Sequence, residues 1–344
     1  MLQADCVCCL TVTMKVWKAA AAAVSRALNR RKHRKRGHEM LQDIAPLRLD
    51  NTFFIIKPDE DSYVVIRDGQ AVIALAVNGE ITLPTFKEVD DELRGSAAGS
   101  VNAFGQPEEY SSPEMTYLIS VGDRKFFMPA ESDMQRCCEA LFRLGYDFTA
   151  AKQLRYCGPN WLRYGALVSW QLGAWYKNNT FCGRCGKPMV KSDKERMVHC
   201  AECGNIVYPK LCPVVIVGIV WKDRILLTKY ADSSRARNLA LVAGFAEIGE
   251  TIEETVAREV MEETSLKVKN LHYYKSQPWP YSDSLLFGFF CEVDGSEEFH
   301  VDEFELSRAV WTAPEDITLE PEEVSLTNEM KKMFKEHGRK VLDM

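Results

Sequence analysis

No apolar run in this 344-residue chain approaches the ~20 residues a bilayer-spanning helix needs, so the sequence offers no transmembrane segment. Histidine is scarce: the six present show no clustering that suggests a Ser-His-Asp or Cys-His nucleophilic site. A secretory arrangement is missing as well, because the early Lys and Arg residues come mostly after the short alanine run 19–23 and not before it. Positive charge is also lacking over most of the chain. Residues 1–39 carry nine Lys/Arg against two acids, which leaves the remainder at −13 within a net charge of −6. An acidic body argues against sequence-independent binding along a nucleic-acid backbone.

Cysteine, by contrast, is plentiful, with 12 in the chain. Without a secretion signal these point to a reducing, cytoplasmic compartment, where paired C-x2-C motifs hold metal in place of disulfides. Cys182-x2-Cys185 and Cys200-x2-Cys203 are separated by 14 residues, each pair followed by a glycine. Two such knuckles are what a tetrahedral four-cysteine zinc site requires. Four protein ligands leave no open position for chemistry, so this zinc is expected to be structural.

The most informative stretch is GFAEIGETIEETVAREVMEETSL, residues 244–266. Glu259, Glu262 and Glu263 stand at i, i+3 and i+4, which places three carboxylates on one helix face. Like charges at that spacing repel unless cations neutralise them, and hard oxygen ligands suit Mg²⁺ or Mn²⁺. The stretch follows two strand-like runs, 213–221 and 224–230. In full it reads G-x5-E-x7-R-E-V-x-E-E-x-S-L, which resembles the Nudix box of hydrolases that cut a nucleoside diphosphate linked to another moiety. Where that box closes on glycine, this chain has Ser265. The glycine ends the helix in a left-handed conformation, so serine should cost about 1 kcal/mol or shift the turn.

Ten residues beyond Leu266 begins SQPWPYSDS (276–284). A Pro-x-Pro segment with tryptophan reads, taken alone, as a rigid surface turn. The order of zinc ribbon, YPK (208–210), Nudix box and SQPWP resembles the NADH pyrophosphatases, whose members also remove NAD caps from RNA. In that family the loop reads SQPWPFPxS, so Tyr281 and Ser282 depart from it.

The resemblance implies site roles by position. Glu259, Glu262 and Glu263 would serve the divalent ions, with Ala243 offering a backbone carbonyl and Glu305, or Glu303 as the alternative, a distal carboxylate. Arg258 would pair with Glu250. Tyr208 and Phe245 would sandwich the base, Glu195 would touch substrate, and Gln277, Pro278, Trp279, Pro280, Tyr281, Ser282, Asp283 and Ser284 would hold the dinucleotide. Arg155, or Lys152, is a candidate phosphate contact. The implied activity is metal-dependent hydrolysis of the NAD(H) diphosphate to NMN(H) and AMP, together with removal of NAD caps from RNA, in a homodimer. Hydrolysis of ADP-ribose or another dinucleotide is the alternative enzyme. A non-catalytic zinc-ribbon regulator that binds nucleotide or RNA is the alternative of another class, but it has no need of three repelling carboxylates.

The implied fold class is α+β, an α/β/α sandwich of the Nudix type preceded by a β-rich Nudix-like domain and a four-cysteine ribbon. The expected divisions are a disordered basic extension (1–39) with Met40 as the start of folded structure, an N-terminal domain (40–150), a helix plus ribbon (151–207) and a catalytic domain (208–336). Alternation in TFFII (52–56) and the following runs to about 130 predicts a small antiparallel sheet with turns at Asp68-Gly69 and Asn78-Gly79. Residues 95–114 read as a long loop, 132–148 and 162–179 as helices.

Overall fold

The computed structural model describes residues 40–77, 80–98, 109–156, 158–231, 239–302, 304–320 and 324–344. The basic extension 1–39, the Asn78-Gly79 turn, the centre of the 95–114 loop and Glu303 lie outside the described residues.

The N-terminal part builds two small sheets where the alternation predicted one. In the first, β1 (Leu49–Asp50), β6 (Met115–Val121), β7 (Arg124–Pro129) and β2 (Tyr63–Val64) lie in the order β1-β6-β7-β2, with β2 and β7 parallel. In the second, β4 (Ala71–Val77) pairs antiparallel with β3 (Arg67–Asp68), β5 (Glu80–Thr82) and β8 (Asp147–Ala150). The hairpin of β3 and β4 turns through Gly69 and Gln70, and Gly69 takes the positive φ of 51° that only glycine adopts freely. Helices α1 (Phe86–Ala97) and α2 (Met134–Arg143) pack on each other beside these sheets, and α1 starts from a capping box of Thr85 and Glu88.

The predicted TFFII strand does not form, and Phe54 and Ile55 are exposed. The reason is a side chain from elsewhere. An antiparallel ladder from Leu49↔Val121 and Asp50↔Ser120 would carry on past Asn51. Arg196 enters there instead, its guanidinium donating to the carbonyls of Asn51 and Leu118. Leu118 is the extra residue of a bulge between β6 and β7, so its carbonyl is turned out of the ladder and available.

The long helix α3 (Asn160–Asn178) runs from this part to the ribbon. The ribbon is a three-stranded sheet in which β9 (Val190–Lys191), β10 (Val198–His199) and β11 (Ile206–Val207) lie in the order β11-β10-β9.

The C-terminal part is a mixed sheet in the order β15-β16-β12-β13-β17, from Val268–Trp279, Ser284–Val293, Cys212–Trp221, Arg224–Tyr230 and Leu306–Thr312, with β14 (Val242–Phe245) also paired to β12. The long strand β12 pairs parallel with β16 and antiparallel with β13 and β14. It is apolar throughout because both of its faces are covered. Val215, Val217 and Ile219 pack with Val256 and Val260 of α4 (Ile252–Thr264), while Val214, Ile216 and Val220 pack with Met330 and Phe334 of α5 (Leu326–His337). This is the α/β/α sandwich that the sequence implied.

The helix carrying the acidic box starts at a Thr251/Glu254 capping box and ends at Ser265, which stands in the left-handed region at φ 60°, ψ 14°. The turn is therefore retained and the serine carries the strain. Ser265→Gly should raise unfolding stability by roughly 0.5–1 kcal/mol, which chemical denaturation of the two proteins would measure.

Candidate active site

The acidic face of α4 forms as its spacing dictates, and Arg258 is at its centre. Its Nε donates to Glu250 Oε1 at 2.5 Å, and its Nη2 donates to Glu250 Oε2 and to the Phe245 carbonyl, each at 2.9 Å. Its Nη1 reaches Glu259 Oε1 at 2.7 Å and Glu262 Oε2 at 2.9 Å. One guanidinium thus partly offsets the charges of Glu250, Glu259 and Glu262, and leaves Glu263 untouched. Glu250 also accepts from the Glu247 amide and the Thr255 hydroxyl, and its carboxyl is held down to about 2, chiefly by Arg258. The pairing of Arg258 with Glu250 ties the 245–250 loop to the helix.

Glu263 behaves in the opposite way. It is only 2% exposed, its Oε2 has no hydrogen-bond partner, and its carboxyl is pushed up to about 8 by burial, then by the charges of Glu259 and Glu305. The Ala243 amide opposes this by hydrogen bonding to Glu263, and Asp302 adds to the repulsion. Glu259 is raised too, first by burial, with Arg258 opposing. A buried, unpartnered carboxylate oxygen among further carboxylates fits a hard divalent cation, the partner that would relieve all of these costs. Among the described residues these carboxylates do not converge within 4.8 Å as a ready-made ligand set; only the four cysteines do.

Gly244 explains why the motif begins with glycine. A Cβ built on it would lie 1.8 Å from the Glu259 carboxyl carbon. Glu259 therefore rests against bare backbone of β14. Gly244→Ala should displace Glu259 and weaken Mn²⁺ binding by about tenfold or more, a loss that titration of Mn²⁺ by electron paramagnetic resonance would measure.

The segment after β16 completes the acidic end. Asp302 donates its amide to the Glu263 carbonyl at 3.2 Å, and the Ala231 amide donates to the Glu305 carbonyl at 2.8 Å, so this stretch runs along the C-terminal end of α4. Asp302 was missed in the sequence. Its signal was present as the acidic run around 302–305, where motif position pointed to Glu305 and Glu303 alone.

In the ribbon the sulfurs of Cys182 and Cys203 are 3.6 Å apart and those of Cys185 and Cys200 are 3.5 Å apart. A tetrahedron of Zn–S bonds at about 2.3 Å has S···S edges of about 3.8 Å, so the four thiols fit a zinc ion. The two knuckles match closely: Gly186 and Gly204 each donate to the carbonyl of the first cysteine, at φ 72° and 71°. The ribbon also brings Glu195 to Tyr208, whose hydroxyl donates to Glu195 Oε1 at 3.2 Å. Tyr208 and Phe245 are both about half exposed, 54% and 52%, so their ring faces are open to a planar partner.

The SQPWP segment departs from a surface turn. Ser276 to Trp279 form the end of β15, paired with β16 through Gln277↔Leu286, Pro278↔Leu285 and Trp279↔Ser284. The strand tolerates Pro278 because β15 lies at the edge of the sheet. Gln277 is fully buried: its Nε2 donates to the Val324 carbonyl at 2.8 Å and its Oε1 accepts from the Leu326 amide at 2.6 Å. It is engaged in holding the start of α5. Pro280 is buried in the 3-10 turn Pro280–Ser282 and Asp283 follows at φ 54°. Ser284 is buried, with its hydroxyl 2.9 Å from that of Ser282. Trp279 and Tyr281 meet edge to face at 5.2 Å. The Arg155 side chain and Glu303 lie outside the described residues.

Among known proteins, residues 211–336 match the NUDIX domain and residues 177–208 match the NADH pyrophosphatase zinc ribbon domain. The NAD-capped RNA hydrolase NudC of Citrobacter koseri is 46% identical over 153 residues, 44% of this chain and 58% of that protein. The protein of the same name from Salmonella typhi is 45% identical over 151 residues, with the same coverage of each. The chain thus spans less than two thirds of the length of the curated relatives it matches. A NUDIX hydrolase crystal structure from Nitrosomonas europaea aligns over 46% of this chain and 92% of its own, at 21% identity and a TM-score of 0.40. This chain therefore carries an NADH pyrophosphatase zinc ribbon domain followed directly by a NUDIX domain.

Proposed function

We propose that this protein hydrolyses the diphosphate of NAD(H) to NMN(H) and AMP, and removes NAD caps from RNA, using Mg²⁺ or Mn²⁺. The observation that carries the reading is Glu263, a buried carboxylate with an unpartnered oxygen beside Glu259 and Glu305. The ribbon, the box and the SQPW strand supply the dinucleotide class, supported by relatives named for NAD-capped RNA.

Bound divalent ions would screen the diphosphate and lower the pKa of a water. Glu259, Glu263, the Ala243 carbonyl and Glu305 would hold them, with Glu262 as a further ligand or base. Arg258 and Glu250 keep the 245–250 loop fixed against α4. Tyr208 and Phe245 would take the planar base between their faces, and Glu195, already held by Tyr208, would meet the substrate at the ribbon side. The strand and turn from Gln277 to Ser284 would line the other side. A reducing cytoplasmic setting suits the free thiols of the ribbon. No helix of the described residues is long and apolar enough to cross a membrane. A homodimer is part of the same reading.

Purified protein with Mn²⁺ and, separately, NADH, NAD, ADP-ribose and NAD-capped RNA would test it. AMP together with NMNH supports the proposal. Turnover of ADP-ribose alone supports the other dinucleotide reading, and tight binding without cleavage supports a regulator.

A further inference from the structure

A run of contacts between one guanidinium and three mutually tilted rings joins the N-terminal hairpin to the end of β15. Arg67, in β3, lays its aliphatic stem over Gly173 and its guanidinium carbon 4.3 Å over the ring of Trp170, both in α3. Its Nη1 donates to the Trp170 carbonyl at 3.3 Å. Trp170 is buried, and its indole N–H donates to the Ala71 carbonyl at 3.2 Å, so the ring is fixed from both ends. Its other neighbour is Tyr281, 6.5 Å away at 51°, and Tyr281 in turn abuts Trp279. The turn that carries Tyr281 closes on Asp283, whose carbonyl accepts from the Cys212 amide at 2.7 Å and whose charge attracts Arg67.

Tyr281, through which this docking runs, is one of the two positions where the segment departs from the pattern it resembles, and Ser282 is the other. A proline at 282 would lock φ; Ser282 gives that up. The hairpin tip lies at the sheet edge, where β15 has no outer neighbour to hold it. The Cys212 amide and the Ser284 hydroxyl anchor the end of the turn, and the rings of Tyr281 and Trp170 add stiffness at its start.

We propose that Arg67 and Trp170 are positioning residues for the dinucleotide site, acting through Tyr281 to fix the Pro280–Asp283 turn and the ring of Trp279. The N-terminal part, which lacks an acidic box of its own, thereby sets substrate affinity in the catalytic part. The proposal rests on the function given above. Because these side chains bear on the turn and supply none of the α4 carboxylates, the effect should fall on KM and leave kcat alone.

The test uses the full-length protein with NADH and Mn²⁺. Arg67→Gln and Trp170→Leu should raise KM by about tenfold with kcat within about twofold of wild type, and Trp170→Phe should recover most of the loss. Unchanged KM in both variants, or a loss confined to kcat, would overturn the proposal. Should Trp170→Leu not fold, Arg67→Gln decides alone. If the wild-type protein cleaves no dinucleotide, it is the functional reading that fails. The docking is then decided by melting curves of Trp170→Leu, Tyr281→Ala and the double variant, where a double variant no less stable than the worse single one supports it and strict additivity overturns it.

Discussion

Glu263→Gln is expected to lower turnover by on the order of 10² or more while leaving the fold intact. The substitution keeps the size of the side chain and its bond to the Ala243 amide, and removes the charge that a divalent ion would meet. The same residue gives a pH signature in metal-free protein. Its folded pKa is raised to about 8 from an ordinary 4.5. Between those values the folded state binds the extra proton, so its contribution to stability is fully present below about 4.5 and is lost as pH rises through about 8. Metal-free wild type should therefore melt at higher temperature at pH 5.5 than at pH 8.5. Glu263→Gln should flatten that dependence, and Mn²⁺ should stabilise wild type most at the alkaline end. Equal melting profiles for the two proteins, or wild-type turnover in the variant, would remove Glu263 from the site.

Cys200→Ser is expected to release zinc and lower the melting temperature by roughly 5–10 °C. The effect should spread beyond the ribbon because the ribbon is bound to the N-terminal sheet. Lys191 donates to the Thr116 hydroxyl at 2.7 Å, and Arg196 bridges Asn51 and Leu118. Glu195 is the immediate neighbour of Arg196, so loosening the ribbon also moves the Glu195–Tyr208 pair. KM for the dinucleotide should rise with zinc loss. Zinc content by atomic absorption, a melting curve and KM on one preparation would show whether the three change together.

Much of the site was legible because it follows local periodicity. Carboxylates at i, i+3 and i+4 share a face in any helix, and two C-x2-C knuckles converge on one ion in any ribbon. The run 213–221 was legible as a strand, and its being apolar throughout follows from the cover on both faces that the fold supplies. What stayed hidden depends on long side chains crossing between elements. Arg258 reads in sequence as a partner for Glu250, yet its length lets it hold Glu259 and Glu262 as well. TFFII alternates as a strand should, but the ladder it would join is interrupted by Arg196 from 145 residues away. Gln277 sits in a motif whose neighbours face the turn, and the β15–β16 register carries its amide inward to α5.

The acidic end of α4 is expected to hold a divalent cation. Crystals soaked in manganese and measured at the metal's absorption edge test it most directly. Anomalous density is expected beside Glu259 and Glu263, with Arg258 still bound to Glu250. An empty map at that position, from crystals that take up manganese elsewhere, would contradict it.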